Sequence, residues 1–166
     1  MKYLITAICV LALATFAFAG DEEDHEGHAM TEAPWFDMVN CGFCKHLTEE
    51  AGFLEYANWE NFVIDNGMMS VTTVPEEHMD ALARINAKME ESGKKMETGE
   101  MIPMCGMCAS MGQIFMSGKA KYSTYKIKNG EVALFTSSDP ETIKAIQAHA
   151  KHTIDEYAKV MAAEVK

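Results

Sequence analysis

Cys41-Gly42-Phe43-Cys44 returns 64 residues later as Cys105-Gly106-Met107-Cys108. The repetition extends beyond the cysteines. Ile64-Asp65-Asn66-Gly67 is answered by Ile127-Lys128-Asn129-Gly130, and Pro75-Glu76 by Pro140-Glu141. Ala83, Glu91, Lys94 and Met96 are answered by Ala148, Glu156, Lys159 and Met161. The matches keep one order at offsets of 63 to 65 residues, somewhat above the usual solenoid period. The chain therefore reads as two copies of one unit, 35–96 and 97–166, joined by a linker over 95–103.

Each copy reads as helix, hairpin, helix. A CGxC opens a helix over about 42–57 and 105–117. Asn66-Gly67 and Asn129-Gly130 are the two-residue turns, because Asn-Gly tolerates the positive φ of a type I′ turn. The flanking strands are Asn61 to Asn66 with Met68 to Val74, and Lys121 to Lys128 with Glu131 to Thr136. A long helix then starts at Pro75 or Pro140, where a missing N–H costs nothing, and Asp139 caps the second copy. Met79, Leu82, Ile85 and Met89 form the apolar stripe of the first long helix. Ile143, Ile146, Ala150, Ile154, Tyr157 and Met161 form that of the second. Two strands alone are marginal, so the hairpins join to share a core. The predicted class is α+β: tandem helix–hairpin–helix units, a four-stranded and mainly antiparallel sheet packed on helices, and a pseudo-two-fold axis.

The N-terminus reads as an export signal. Residues 1–19 (MKYLITAICVLALATFAFA) join one Lys to an apolar stretch and end in Ala17-Phe18-Ala19, which fits signal peptidase. Cleavage there removes Cys9, leaves four cysteines and makes the protein periplasmic or secreted, with no membrane segment. Residues 20–34 are an acidic tail without apolar period, expected to be disordered. Its His25, His28 and Met30 make it a weak collector of soft ions. The whole chain of 166 residues carries 14 Lys plus Arg against 25 Asp plus Glu, a net charge of −11. That balance excludes a nucleic-acid partner, which such a surface repels.

The chemistry lies in the sulfur residues. Two thiols three residues apart at a helix start are close enough to bind one metal or form one disulfide. Free N–H groups and the helix dipole favour their thiolates. Neither pair is followed immediately by His, since Lys45 and Ala109 come next, so covalent c-type haem is not expected. Met104 and Met107 border the second pair, while His46 follows the first and Met38 precedes it. Thiolate with thioether is a soft donor set that favours Cu(I). Met111 and Phe115 are spaced as core positions. His149 and His152 read as a solvated pair on the last helix, and His78 as a boundary histidine.

Two local resemblances accompany these residues. A CxxC preceded by Met, as at Met104-Cys105-Gly106-Met107-Cys108, resembles the metal loop of heavy-metal-associated domains, which place that loop after a first strand. Cys41-Gly42-Phe43-Cys44-Lys45-His46-Leu47 resembles the active-site stretch of thioredoxin and protein disulfide isomerase. That second likeness implies disulfide exchange through Cys41, the more exposed sulfur, with Cys44 resolving. It covers about seven residues, and the βαβ unit that precedes the motif in that family has no counterpart here.

The expected function is non-enzymatic: an exported protein that binds a soft metal, copper first, through Cys41, Cys44, Cys105 and Cys108. Met104, Met107 and His46 are additional candidate ligands. The partners would be the ion and a metal-delivering protein. The alternatives are a thiol–disulfide oxidoreductase using Cys41 and Cys44, and a disulfide-stabilised interaction module. The sulfur positions separate the three. Four together favour a shared metal site, two separate buried pairs favour disulfides, and one exposed pair favours exchange.

Overall fold

A computed structural model describes residues 33–164. The expected signal peptide, Cys9, and the tail residues His25, His28 and Met30 lie outside the described residues. Ala33 and Pro34, read from sequence as the end of the tail, are described.

The chain forms α1 (Phe53–Tyr56), the hairpin β1 (Asn58–Ile64) and β2 (Gly67–Thr73), and α2 (Met79–Glu97). It continues with α3 (Gly106–Met116), the hairpin β3 (Ala120–Ile127) and β4 (Gly130–Ser137), and α4 (Pro140–Glu164). The two hairpins join into one antiparallel sheet in the order β1-β2-β4-β3. This is the expected α+β class with a four-stranded antiparallel sheet. Among the described residues no helix is long and apolar enough to cross a membrane.

Both hairpins turn one residue earlier than the Asn-Gly reading. Ile64 pairs with Gly67 and Ile127 with Gly130, so Asp65-Asn66 and Lys128-Asn129 make the turns. The glycines instead open the two central strands, where β2 and β4 approach too closely for a side chain. A Cβ on Gly67 would sit 1.9 Å from the Phe135 carbonyl oxygen, and one on Gly130 would sit 1.9 Å from that of Thr72. The turn asparagines close the central ladder. Val74 N donates to Asn129 O at 2.9 Å, and Ser137 N donates to Asn66 O at 3.0 Å.

The first CGxC does not open the long helix expected over 42–57. A 3₁₀ turn covers Cys44–Leu47, and α1 is a single turn. Thr48 Oγ1 donates back to the Lys45 carbonyl at 2.8 Å, competing with the helix ladder. Gly52 then takes a left-handed φ of 74°, which an α-helix cannot accommodate. The long helix after Pro75 likewise begins as a 3₁₀ turn, Glu76–His78, before α2. By contrast Asp139 caps α4 as expected, its Oδ2 accepting from Thr142 N at 3.0 Å. Because α2 runs to Glu97, the connection between the halves begins at Thr98.

Strand pairing fixes the faces, since directly opposed residues point the same way. Met68 and Phe135 are opposed and join Ile114 of α3 with Ile146 and Ala150 of α4 in one core. Val74 joins Phe53, Ala57, Ala81, Leu82 and Ile85 in a second core under α1 and α2, with Trp59 packed against it. Val74, Met68 and Phe135 share one face of the sheet, so both cores lie on that side. The stripe of α4 is rotated from the expected one. It buries Thr142, Ile146, His149, Ala150 and Thr153, and leaves Ile154 and Met161 exposed.

Candidate metal centre

The first CGxC is delivered by a side-chain turn. Asp37 Oδ1 accepts from Val39 N at 3.0 Å and from Asn40 N at 2.8 Å, and Oδ2 accepts from Asn40 Nδ2. These donors, the Asn40 backbone first, hold the Asp37 carboxyl below its usual range. The second pair begins at Cys105, whose extended backbone (φ −72°, ψ 169°) caps α3.

Each pair is gripped by the chain that leads into the other. Gly42 N donates to Pro103 O at 2.8 Å, while Gly106 N donates to Pro34 O at 2.9 Å and Met107 N to Trp35 O at 3.0 Å. The grip leaves little room for a side chain at the glycine inside each pair. A Cβ on Gly42 would stand 2.0 Å from Ile102 Cγ2, and one on Gly106 would stand 3.1 Å from Trp35 Cε3. The grip also corrects one expectation. Gly106 N and Met107 N, the first two of α3, are taken by backbone carbonyls, whereas the backbone N–H groups of Cys44 and Cys105 do act on Cys41 and lower it.

The grip gathers all four sulfurs. Cys44 Sγ lies 3.7 Å from Cys105 Sγ and 3.6 Å from Cys108 Sγ. The four Sγ atoms lie within 4.8 Å of one another and can hold a metal ion. A disulfide needs about 2.05 Å, and all four cysteines are free. Cys41, Cys44 and Cys105 are 1% exposed and Cys108 is half-buried. Cys41, which the thioredoxin likeness made the exposed attacking thiol, is thus among the most enclosed. Met38, Phe43 and Met107 pack against the group.

The sulfurs divide the available protons unequally. Contacts with the Cys108 and Cys44 sulfurs push the Cys41 thiol down. The Cys108 thiol is pushed up by its contacts with Cys41 and Cys44 and by burial. For Cys44, Cys108 acts downward, but Cys41 and burial outweigh it and the net direction is up. A metal ion entering the group displaces protons.

The other candidate ligands have separate roles. His46 is buried, with Nδ1 3.1 Å from Glu49 Oε2 and Nε2 3.0 Å from Ser92 Oγ. Both ring nitrogens are thereby taken by groups other than the sulfurs. Ser92 Oγ donates onward to the Gly42 carbonyl at 3.0 Å, which ties α2 to the first pair. Lys88, then His46, hold the Glu49 carboxyl down at about 2. Met104 is half-buried, its Sδ 4.0 Å from where a Cβ on Gly112 would sit. Met111 joins the core under α4, and Phe115 meets Tyr122 and Phe135 at the sheet.

A matching tie holds the second pair. Ser110, placed after Cys108 as His46 is after Cys44, has its Oγ 3.0 Å from His149 Nδ1 on α4. His149 is buried, contrary to the solvated reading, and burial followed by the His152 charge lowers it to about 4. His152 is exposed, but Trp35 stacks on it at 4.0 Å with planes 14° apart. His78 is half-buried and stacks on Tyr56. Trp35, Ser92 and Ser110 escaped the sequence reading, although the 64-residue offset from His46 pointed at Ser110. No family model matches the chain, and no curated protein or solved structure matches it.

Proposed function

We propose that this is an exported, non-enzymatic metal-binding protein holding one thiophilic ion between its two CGxC pairs. The observation that carries the reading is the reach of Cys44 to both cysteines of the other pair, at 3.7 and 3.6 Å. A tetrahedral four-sulfur site with metal–sulfur bonds of about 2.3 Å has sulfur–sulfur edges of about 3.8 Å. Those edges and the enclosure of three sulfurs suit a closed site for Zn²⁺. Cu(I) is the second reading, favoured by Met38 and Met107, which bring thioethers against the thiols. When bound, the ion supplies a cross-link between the halves. The chain supplies the thiolates, excludes water and fixes the pairs by backbone hydrogen bonds.

The duplication belongs to the same proposal. In the β2–β4 ladder Gly67 pairs with Thr136 and Gly130 with Thr73, and Ser70 pairs with Ala133. Exchanging each residue for the one 63 positions away maps this ladder onto itself. That supports a pseudo-two-fold axis through Ser70 and Ala133. Export after removal of residues 1–19, into a periplasm or beyond, explains why thiols need an ion to persist. Loading by a metal-delivering protein would precede oxidation.

The test is metal analysis of the full chain expressed with its signal and recovered anaerobically, followed by titration of the reduced protein with Zn²⁺ and with Cu(I). One ion per chain is expected. Absence of metal together with no uptake of either ion rejects the reading, and two ions per chain reject the shared site. Disulfide reductase activity on insulin would support exchange chemistry instead.

A further inference from the structure

We infer that the face of the sheet left free of helices among the described residues binds a second copy of this chain. The face is defined by strand pairing. Phe62, Met69 and Leu134 are opposed across three strands, and Val71, Val132 and Tyr125 across the other three. Ile64 and Ile127 complete it, so every strand contributes two large apolar side chains. Side-chain packing of the helices onto the sheet runs through Met68, Phe135, Trp59 and Val74, which point the other way. On the helix-free face Phe62 is 41% exposed, Tyr125 57% and Ile127 38%, and the other five are half-buried.

The pattern recurs in both halves. Adding 63 to Phe62, Ile64, Met69 and Val71 gives Tyr125, Ile127, Val132 and Leu134. A sheet that merely tolerated solvent would alternate apolar and polar residues, keeping the open side polar. This one carries large apolar side chains on both sides.

Charge and area select the occupant. In a chain of net charge −11, this face carries only Glu60 and Lys121, of opposite sign and on opposite edge strands. Two copies of an acidic protein can meet here without burying like charges. Four strands about 4.8 Å apart and up to eight residues long give a footprint of about 19 by about 25 Å. Two such faces cover about 1,000 Å² in total before side-chain relief is counted, which reaches the threshold for a specific interface. Flat apolar sheets stack about 10 Å apart and are complementary to one another. The metal centre lies outside this face, so assembly and metal loading are separable.

The experiment is sedimentation equilibrium of the metal-loaded mature chain, alongside Val71→Glu and the more exposed Tyr125→Asp, with metal content measured on the same samples. The expected result is twice the monomer mass for the parent and monomer mass for both variants, with unchanged metal per chain. A parent that stays monomeric at about 100 μM, or variants that keep the doubled mass, overturns the inference. A parent that associates only with a different protein, or whose face is covered by residues 20–32 of its own chain, remains monomeric alone and overturns it as well. If Val71→Glu does not fold, Tyr125→Asp at the rim carries the test.

Discussion

Cys44 and Cys108 stand 3.6 Å apart, sulfur to sulfur, across 64 residues of chain. Neither CGxC pair completes the group alone, because each supplies only half of the donors. Substituting one sulfur should therefore affect both pairs. Cys44→Ser is expected to abolish the one-to-one complex and leave a weak two-sulfur or three-sulfur site, checked by titration against a competing chelator.

Removing the ion should loosen the link between the halves. Anything that binds only the folded state stabilises it by about 3 kcal/mol at a free concentration of about 100 times its Kd. Chelation of the loaded protein under reducing conditions should thus lower the thermal midpoint by several degrees. Calorimetry at fixed free metal checks the size and the concentration dependence.

The two kinds of glycine on this chain should respond in opposite directions. Gly42→Ala drives a methyl into Ile102 and should cost about 1–3 kcal/mol, with weaker metal binding. Gly93 lies inside α2 with open space where its Cβ would be, so Gly93→Ala should add close to 1 kcal/mol. Urea unfolding of both variants measures the contrast.

Ser92 joins three elements by donating to Gly42 O while lying against His46 Nε2. Ser92→Ala leaves two buried polar groups without that partner and should cost about 1–3 kcal/mol. Ser92→Thr keeps the hydroxyl and should restore part of the loss. Paired denaturation curves would show whether the rescue occurs.

His149 makes stability depend on acid. Its folded pKa of about 4 lies below the ordinary 6.5, so between those values the unfolded chain takes up a proton that the folded chain refuses. Stability is full above pH 6.5 and falls by about 3 kcal/mol as the pH drops to 4. His149→Gln should flatten that part of the profile, measured on metal-free, reduced protein so that proton displacement of the ion does not contribute.

The hairpins were legible in sequence because alternation and the Asn-Gly dipeptides mark them, and the donor cysteines because their spacing repeats. The turn frame was not, because Gly67 and Gly130 serve the close approach of β2 to β4, a contact between the two hairpins. The helix expected after Cys41 failed at Thr48 and Gly52, where a side-chain hydrogen bond and one left-handed residue outweigh helical propensity. The convergence of the sulfurs depends on carbonyls of Pro34, Trp35 and Pro103. Backbone groups carry no residue signature, so spacing alone left open one site or two. The same holds for Ser92, whose role is set by a histidine 46 residues earlier.

Pro34 and Trp35 set a limit on how this protein can be handled. Their carbonyls occupy the leading N–H groups of α3, so recombinant boundaries that begin after Trp35 would strip that helix of its backbone partners and unseat Cys105 and Cys108. A purification tag joined upstream of Ala33, by contrast, leaves the grip intact. Any maturation protease acting in the acidic stretch has the same border, beyond which trimming would become inactivation.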